Sequence, residues 1–471
     1  MKPLLQVQDL SVRTESRYGA DLTLFEGANL TLNAGERLTV VGESGAGKSL
    51  LAQAIMGALP AGLVARGQVH IAGHATNGER ALTLPLWGST VTMLPQEPWS
   101  ALSPLMRILP QVAEAARYAQ KQSWAQALQA AQERLAQLGL AQAGGQWLHQ
   151  ISGGMAQRVG IAASGLAGAS LLIADEPTKG LDSSSVQQVA QLLLGMQGAG
   201  QALLTITHDL DLAEQLGGQL MVMQQGQVVE SGLASEVLSN PQHAYTKALL
   251  AAQPRHWLPL VQAVQPDAQQ VISAQGLGKA FSANKLFTNI DLSLKRSEIM
   301  AVSGVSGCGK TTLGNMLLGL VQADAGKIER TSVPAWKFQK LYQDPPAAFS
   351  PHRQIGAALQ DIIARHGLDA SKIEPLMAQL KLHSGLLARL PAQVSGGELQ
   401  RLALLRLLLL EPAFIFADEP SSRLDVITQQ QTMALLCEAA QASGCAVLLV
   451  SHDAHLASAC SHQHLSLGVE H

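Results

Sequence analysis

The strongest constraint on the fold of this 471-residue chain is that it contains the same series of short motifs twice, in the same order. Three pairs of segments correspond: LFEGANLTLNAGERLTVVGESGAGKS (24–49) with LFTNIDLSLKRSEIMAVSGVSGCGKT (286–311), QISGGMAQR (150–158) with QVSGGELQR (393–401), and LLIADEP (171–177) with FIFADEP (414–420). The first pair aligns without a gap. Because each copy is long enough to bury a core of its own, the repeat predicts two similar domains in tandem.

The stretch between the two copies shows little periodicity and carries Pro254, Pro259 and Pro266. Proline interrupts both helices and sheets, so this composition is typical of a linker. We therefore predict a first domain at 1–252, a linker at 253–270 and a second domain at 271–471.

Short apolar segments alternate with helix-compatible segments in each half. Examples are the apolar runs at 37–41 and 202–206 and the helical stretch at 49–59. Such alternation predicts an α/β fold in which each domain has a mainly parallel sheet as its core. A mostly helical insert, at about 124–148 and 355–390, interrupts each half and predicts a helical subdomain beside each sheet.

Charge and cysteine content narrow the possible partners and locations. A formal net charge of -3 and a pI near 6.5 provide no basic field, so no nucleic-acid partner is expected. No cysteine pair has C-x-x-C spacing, which favours reduced thiols in a cytosolic protein over a zinc or redox site. The N-terminal residues lack the basic end and apolar block of a secretory signal, and no stretch matches a membrane span of ~20 apolar residues. We therefore expect membrane contact only through a partner.

Two G-x-x-x-x-G-K-[ST] motifs, each placed between an apolar strand and a helical stretch, carry the clearest chemical signal. They comprise Gly42, Gly45, Gly47, Lys48 and Ser49 in the first half, and Gly304, Gly307, Gly309, Lys310 and Thr311 in the second. In such a loop, backbone N–H groups surround the β-phosphate, the lysine reaches the β- and γ-oxygens, and the hydroxyl binds Mg²⁺. A glycine-rich turn with an incidental lysine is the alternative, and two copies in register argue against it. The motifs predict a P-loop NTPase that uses ATP and Mg²⁺.

An apolar strand ends in an Asp-Glu pair in each half, Asp175-Glu176 and Asp418-Glu419. The aspartate can hold Mg²⁺ through its water shell, and the glutamate can orient or deprotonate the attacking water. Alone, such a pair is equally typical of a solvated strand end. Together with a phosphate loop in the same half, it predicts catalysis.

A Ser-Gly-Gly turn precedes a helix-compatible stretch in each half. The turns are Ser152, Gly153 and Gly154 in the first half and Ser395, Gly396 and Gly397 in the second. A serine and free N–H groups at a helix start can bind an anion. With these motifs in this order, the chain resembles the nucleotide-binding subunits of ABC transporters over essentially its whole length. In that family two such domains pack head to tail, and each ATP lies between the phosphate loop of one domain and the Ser-Gly-Gly turn of the other.

The resemblance implies two composite sites. The first would combine Lys48, Ser49, Gln96, Asp175, Glu176 and His208 with Ser395 and Gly397, and the second would combine Lys310, Thr311, Gln343, Asp418, Glu419 and His452 with Ser152 and Gly154. Mg²⁺ would be held by Ser49, Gln96 and Asp175 in one site and by Thr311, Gln343 and Asp418 in the other. The two glutamines would also contact the attacking water. The two histidines would contact the γ-phosphate, although a lone histidine at a strand end is more often a surface group. Asp182 and Asp425 would contact the opposite half.

An aromatic face for the adenine is expected before each phosphate loop. Phe281 fits in the second half. In the first half the gapless alignment gives Gly19 at that position, so the neighbouring Tyr18 is the candidate. For any single aromatic residue, core packing is the alternative role.

Two further segments, QEPWSALSPLMRI (96–108) and NPQHAYTKALL (240–250), resemble the ATPases of oligopeptide, dipeptide and nickel importers. That narrower resemblance implies two transmembrane permease subunits and an extracytoplasmic solute-binding protein as partners. It also implies a peripheral location on the cytoplasmic face of the inner (plasma) membrane. The transported solute would be a peptide, nickel or a metal chelate.

Two other functions compete with import. A soluble tandem ABC protein could act on ribosomes or DNA, but ribosome-acting relatives usually have a long charged linker and DNA-repair relatives carry zinc modules. An adaptor could bind ATP without turnover. Glu176 and Glu419 are both present, so we expect two sites that hydrolyse ATP.

Overall fold

The computed structural model of the chain describes residues 2–15, 22–178, 183–197, 200–281, 284–305 and 307–468. The chain divides into two compact units, Met1–Leu250 and Ala251–His471. Tyr18 and Asp182 lie outside the described residues.

The first unit combines strands and helices in alternation. Its strands are β1 (Leu5–Thr14), β2 (Thr23–Leu32), β3 (Arg37–Gly42), β4 (Leu63–Ile71), β5 (His74–Ala75), β6 (Val91–Leu94), β7 (Leu171–Asp175), β8 (Ala202–Ile206), β9 (Gln219–Gln224) and β10 (Gln227–Leu233). Its helices are α1 (Lys48–Ile55), α2 (Arg80–Thr83), α3 (Pro98–Ala101), α4 (Ile108–Ala119), α5 (Trp124–Gln137), α6 (Gly153–Ala167), α7 (Ser183–Gln197), α8 (Leu210–Leu216), α9 (Ala234–Ser239) and α10 (Ala244–Ala251).

Two sheets form the frame of the first unit. The larger sheet has the strand order β10-β9-β3-β8-β7-β6 and is parallel except for the β9–β10 pair. The smaller sheet, β2-β1-β4-β5, is antiparallel. Every residue of β7 and β8 is buried, as expected for central parallel strands covered on both faces. This order brings the carboxyl ends of β3, β7 and β8 side by side, where a ligand of an α/β sheet is expected.

Separate apolar cores support the sheets and the helical subdomain. One core cluster joins Phe25 of β2, Leu51 of α1 and Ile173 of β7, so α1 is packed with strands of both sheets. A second cluster, which includes Ile108 and Leu135, holds α4, α5 and α6 together as a helical subdomain. The phosphate-loop helix therefore rests on the sheet core, whereas the Ser-Gly-Gly turn belongs to the subdomain.

The second unit repeats this plan. Its strands are β11 (Gln270–Phe281), β12 (Asn284–Lys295), β13 (Ile299–Gly304), β14 (Ala325–Arg330), β15 (Phe338–Leu341), β16 (Phe414–Asp418), β17 (Ala446–Val450) and β18 (Gln463–Leu467). Its helices are α11 (Lys310–Leu318), α12 (Ile355–His366), α13 (Ile373–Gln379), α14 (Gly396–Leu409), α15 (Val426–Ser443) and α16 (Ala454–Cys460).

The sheet order in the second unit corresponds to that in the first. The order β15-β16-β17-β13-β18, parallel throughout, matches β6-β7-β8-β3-β9 strand for strand. An antiparallel sheet of β12-β11-β14 accompanies it. The predicted α/β fold with two tandem domains, each with a mainly parallel core and a helical subdomain, is confirmed.

Some boundaries differ from the sequence-based expectation. Helix α1 ends at Ile55 instead of residue 59, because Gly57 adopts φ 62° and Pro60 follows. The first helical subdomain begins at Ile108, well before residue 124. Pro110 obscured α4 in the sequence, but a proline is tolerated in the first turn of a helix.

Part of the segment predicted as a linker is fastened to the second unit. Its hydrogen bonds run from Leu260 N to Ala459 O at 2.7 Å and between Gln262 O and His462 Nε2 at 2.7 Å, while His462 Nδ1 accepts from Ile299 N at 3.0 Å. Because Nδ1 accepts a hydrogen bond, the ring proton is assigned to Nε2, which donates to the carbonyl. Trp257 also packs against the core of the second unit.

Among the described residues, no helix is both long and apolar enough to cross a bilayer.

Candidate nucleotide-binding sites

The first phosphate loop connects β3 to α1 and depends on glycine at defined positions. A Cβ atom at Gly42 would lie 2.0 Å from Met223 O, so the neighbouring strand β9 leaves no room for a side chain. Gly47 is the N-cap of α1 and adopts φ 91°, a conformation that other residues rarely take. The loop therefore turns tightly around the N-terminus of α1. The free N–H groups of that helix end can bind an anion inside the loop.

Lys48 crosses the loop and is held at its centre. Its side chain is buried, and Nζ donates hydrogen bonds to the carbonyl oxygens of Gly42 and Glu43, each at 2.8 Å. A buried ammonium group that is fixed by backbone carbonyls is oriented before any ligand arrives. Its N–H groups can then donate hydrogen bonds to phosphate oxygens at small cost in side-chain entropy.

Ser49 and Asp175 form a pair of oxygen groups beside the loop. The Ser49 hydroxyl donates to Asp175 Oδ1 at 3.0 Å, across 126 positions of sequence. Asp175 ends β7 and is 3% exposed. Hydroxyl and carboxylate oxygens are the hard ligands that Mg²⁺ prefers, so the donor set fits that ion.

Glu176 adopts a backbone conformation that is unusual for a residue other than glycine. Its φ is 49°, and its N–H donates to Ile206 O at 2.7 Å, which holds the residue at the end of β7. Strain of this kind is maintained where the surroundings enforce it, and it occurs often at functional sites. Glu419 in the second unit has φ 47°, so both acidic pairs share the feature.

The carboxylate of Glu176 faces His208 and Thr207. His208 Nδ1 lies 2.8 Å from Glu176 Oε2, and the same oxygen accepts weaker bonds from Thr207 Oγ1 and His208 N at 3.4 Å. Burial acts to raise the pKa of Glu176, but His208 and Lys48 together hold that pKa below its ordinary value. Glu176 is therefore ionised near neutral pH and can accept a proton from, or orient, a bound water.

The second site has the same construction. Lys310 Nζ donates to Gly304 O at 2.8 Å and to Val305 O at 3.1 Å. The Thr311 hydroxyl donates to Asp418 Oδ1 at 3.1 Å. The corresponding glycines, Gly304, Gly307 and Gly309, all adopt positive φ, as Gly42, Gly45 and Gly47 do. This donor set also fits a phosphate chain and Mg²⁺.

In the second unit a glutamine joins the glutamate and the histidine. His452 Nε2 lies 2.8 Å from Glu419 Oε1, and Gln343 Nε2 donates to Glu419 Oε2 at 2.9 Å. Gln343 follows β15 by two residues, and Gln96 follows β6 by two residues in the first unit. The structure thus brings Gln343, Glu419 and His452 together at the strand ends, as the sequence predicts for this half.

The Ser-Gly-Gly turns start helices within their own units. Ser152 Oγ accepts from Met155 N at 3.3 Å at the start of α6, and Ser395 Oγ accepts from Glu398 N at 3.4 Å at the start of α14. These are N-caps, which satisfy N–H groups that the helix cannot. The glycines Gly153, Gly154, Gly396 and Gly397 form the first residues of the two helices. Their role toward ATP stays a prediction.

Phe281, the predicted adenine contact, ends β11 with 52% of its surface exposed. Lys279 Nζ lies 5.1 Å from the centroid of its ring. An exposed ring can offer a face for stacking, which core packing would hide. The first-half candidate, Tyr18, cannot be placed because it lies outside the described residues.

Sequence reasoning missed two groups at these sites. Thr207 contacts Glu176, and Lys340 Nζ lies 2.9 Å from Asp418 Oδ2. A signal for Lys340 was present, because the aligned quartets MLPQ (93–96) and KLYQ (340–343) differ by a charge at their first position. Nothing in the sequence alone indicated which way that side chain would turn.

Comparison with known proteins places this geometry in a family. A family model described as ABC transporter matches residues 25–179 and 287–422. The chain is 33% identical to the peptidoglycan transport ATP-binding protein YejF of Agrobacterium fabrum, over 97% of this chain and 90% of that protein. It is 30% identical to the glutathione import ATP-binding protein GsiA of Salmonella typhi, over 98% of this chain and 84% of that protein.

Solved structures agree in fold. The archaeal ribosome recycling factor aABCE1, in its complex with the archaeal ribosomal stalk protein aP1, matches with a TM-score of 0.64 at 20% identity, over 92% of this chain and 83% of that chain. A structure of the RNase-L Inhibitor matches with a TM-score of 0.65 at 20% identity, over 98% of this chain and 87% of that chain. At this level of identity the agreement concerns the fold alone.

Proposed function

Because this chain belongs to the ABC transporter family and is an ATPase that binds ATP with Mg²⁺, we propose that it powers a membrane importer for a peptide, nickel or metal-chelate type of solute. The observation that carries the proposal is the match, over nearly the whole chain, to proteins named for peptidoglycan transport and glutathione import. Both of those cargoes contain peptide bonds, which favours a peptide-like solute over a free ion.

The segment at the end of the first unit that resembles the importer ATPases is held in place by hydrogen bonds. Glu230 Oε1 accepts from Gln242 N at 2.7 Å, and Oε2 accepts from His243 N at 3.1 Å, which fixes the start of the P-x-H-x-Y-T segment. Tyr245 and Thr246 of that segment are buried in α10. The segment that resembles the importer ATPases is thus an ordered part of the unit.

The residues divide the chemical work among them. Lys48 and Lys310 bind the β- and γ-phosphate oxygens from the loop centres, and Phe281 stacks on adenine. Ser49, Asp175 and Gln96 would hold Mg²⁺ in the first site, and Thr311, Asp418 and Gln343 would hold it in the second. When bound, Mg²⁺ neutralises charge on the phosphate chain.

The glutamates act on the attacking water. Glu176 and Glu419 orient that water and take its proton as its oxygen attacks the γ-phosphorus and the bond from the γ-phosphorus to the β–γ bridging oxygen breaks. His208 and His452, each 2.8 Å from a glutamate oxygen, hold the carboxylates in place and contact the γ-phosphate. Hydrolysis at both sites would drive the transport cycle.

The proposal includes partners and a location. Two transmembrane permease subunits and an extracytoplasmic solute-binding protein would complete the importer, and the chain would lie on the cytoplasmic face of the inner (plasma) membrane. The second candidate function is a soluble tandem ABC ATPase that acts on ribosomes or DNA. The fold shared with the ribosome recycling factor is the observation that favours it, at 20% identity.

Fractionation separates the two candidates. The tagged full chain, expressed in its own host, is followed through membrane pelleting, detergent extraction and a ribosome gradient. Import predicts recovery with membranes and co-purification of two integral membrane proteins after extraction. Recovery with ribosomal particles, in a form released when the particles dissociate, would support the alternative instead.

Cargo is tested by uptake. A strain that lacks the chain receives either the wild type or the Glu176→Gln, Glu419→Gln double variant, and uptake of labelled dipeptides, glutathione and Ni²⁺ is compared. We expect the wild type alone to restore uptake of a peptide-type solute. Equal uptake with both forms would exclude a role for hydrolysis in import of that solute.

A further inference from the structure

A lysine occupies one oxygen of the aspartate that is assigned to Mg²⁺ in the second site. Lys340 Nζ lies 2.9 Å from Asp418 Oδ2, and the two side chains are only 14% and 12% exposed. The other oxygen, Oδ1, accepts the hydroxyl of Thr311 at 3.1 Å. Both oxygens of Asp418 are therefore engaged, one by a hydroxyl group and one by a cation.

The lysine is supported on several sides. Its Nζ atom lies 3.4 Å from Asn315 Oδ1, on the helix that follows the phosphate loop. It also lies 4.8 Å from the ring centroid of Phe416 and 5.6 Å from that of Tyr342. Cation–π contacts of this length stabilise an ammonium group that is removed from water. The position of Lys340 is thus built into the unit.

The first site has a neutral residue at the corresponding position. Lys340 pairs with Phe416 in the parallel ladder of β15 and β16, two residues before Asp418. Met93 pairs with Ile173 in the ladder of β6 and β7, two residues before Asp175. The strands correspond in order and register, so a thioether lies where the second unit has an ammonium group. The two sites differ by one positive charge at this strand position.

That charge opposes a divalent cation. An aspartate attracts Mg²⁺ by its negative charge, and an ammonium group 2.9 Å away offsets that attraction. The lysine also repels the metal directly, and burial weakens the screening by water. A neutral methionine has neither effect.

We propose that Lys340 raises the Mg²⁺ concentration that the second nucleotide site requires, so that the first site fills with MgATP at lower Mg²⁺ than the second. The inference rests on the Mg²⁺ role proposed for Thr311 and Asp418, and it does not depend on the transported solute. The two sites retain their catalytic residues but load in order as free Mg²⁺ rises.

The experiment isolates one site at a time in the full chain. Glu176→Gln and Glu419→Gln block hydrolysis, and Lys48→Ala disables the first phosphate loop. Mg²⁺ is then titrated at a saturating concentration of a fluorescent ATP analogue, and the midpoint for the Mg²⁺-dependent signal is recorded. Lys340→Met is expected to lower that midpoint ~10-fold. Lys340→Arg keeps the charge and is expected to leave the midpoint high.

The reciprocal variant provides a matched control. In the hydrolysis-blocked chain with Lys310→Ala, which leaves the first site, Met93→Lys is expected to raise the Mg²⁺ midpoint by a similar factor. A thermal melt of each variant verifies folding, and Lys340→Gln replaces Lys340→Met if the latter does not fold.

One more variant separates failure of this inference from failure of the assigned Mg²⁺ site. Thr311→Ala removes the hydroxyl ligand and must raise the midpoint if Thr311 binds the metal. An unchanged midpoint with Thr311→Ala would overturn the assigned Mg²⁺ role. A raised midpoint with Thr311→Ala, together with no change for Lys340→Met and Lys340→Gln, would overturn the inference about Lys340 alone.

Discussion

The Nδ1 atom of His208 lies 2.8 Å from Oε2 of Glu176. In the second unit a different ring nitrogen makes the equivalent contact, because Nε2 of His452 lies 2.8 Å from Oε1 of Glu419. Each unit thus joins the residue after its buried aspartate to a histidine at the end of the neighbouring strand.

This pair gives the first unit a pH-dependent stability. Burial acts to lower the pKa of His208, and Lys48 acts in the same direction, but Glu176 and Asp209 raise the pKa above its ordinary value of 6.5. The pKa of Glu176 is held below 4.5 despite burial. The contribution of His208 to the free energy of unfolding is complete below pH 6.5 and is lost as the pH rises through its raised pKa. The contribution of Glu176 is complete above pH 4.5 and is lost as the pH falls through its lowered pKa.

The stability difference between the wild type and His208→Gln should therefore be largest between pH 4.5 and 6.5. Thermal unfolding midpoints of the full chain, measured at about pH 5.5 and about pH 9, provide the comparison. A destabilisation by His208→Gln that is as large at the alkaline pH as at the acidic pH would contradict an ion pair.

The two glutamates should be required for hydrolysis but not for binding. Glu176→Gln and Glu419→Gln each keep the size of the side chain and remove its ability to take a proton. We expect the double variant to lose at least ~100-fold in kcat while it still binds ATP. Phosphate release and nucleotide binding measure the two effects separately.

A matched control for this prediction is Glu133→Gln. Glu133 lies on the exposed face of α5 and accepts a side-chain hydrogen bond from Gln129, at 3.0 Å. Its substitution should leave phosphate release unchanged. Retention of more than half of the wild-type rate by the double Glu176, Glu419 variant would argue that another group activates the water.

The first phosphate loop should not tolerate a side chain at Gly42. Gly42→Ala would force a methyl group to within 2.0 Å of Met223 O, so strand β9 or the loop must move. We expect loss of ATP binding and destabilisation by ~1–3 kcal/mol. Equilibrium binding and denaturant unfolding measure these effects.

Gly195→Ala is the control for Gly42→Ala. Gly195 lies within α7, and a Cβ atom there would meet nothing within 4 Å. Alanine in a helix is favoured over glycine, so this variant should be more stable by ~0.5–1 kcal/mol and should bind ATP normally. Loss of ATP binding by both variants would show that the effect is not specific to the loop.

His462 should hold the segment that precedes β11 against the second unit. His462→Ala removes the hydrogen bonds to Ile299 N and Gln262 O. Cleavage by trypsin after Arg255, close to this segment, should become faster than in the wild type. His464→Ala, at an exposed position of β18 two residues further along, should leave the cleavage rate unchanged, and equal rates for both variants would contradict the role of His462.

Sequence patterns predicted the short, fully buried strands and the glycine-rich phosphate loops. The run at 202–206 forms β8, and the phosphate-loop glycines take the positive φ values that their motif requires. These features are local, so a short segment is enough to indicate them. The pairing of Lys340 with Asp418 is different, because it depends on the side-by-side register of β15 and β16. The start of α4 was also hidden, because Pro110 resembles a helix breaker when its position in the first turn is unknown.

The most direct test of the central claim is the number of ATP molecules bound by the hydrolysis-blocked full chain at saturating Mg²⁺. Equilibrium dialysis of the Glu176→Gln, Glu419→Gln variant should give two ATP per chain, and addition of either Lys48→Ala or Lys310→Ala should reduce the number to one. One ATP per chain in the double variant, or two after either lysine is replaced, would contradict an ATPase with two separate nucleotide sites.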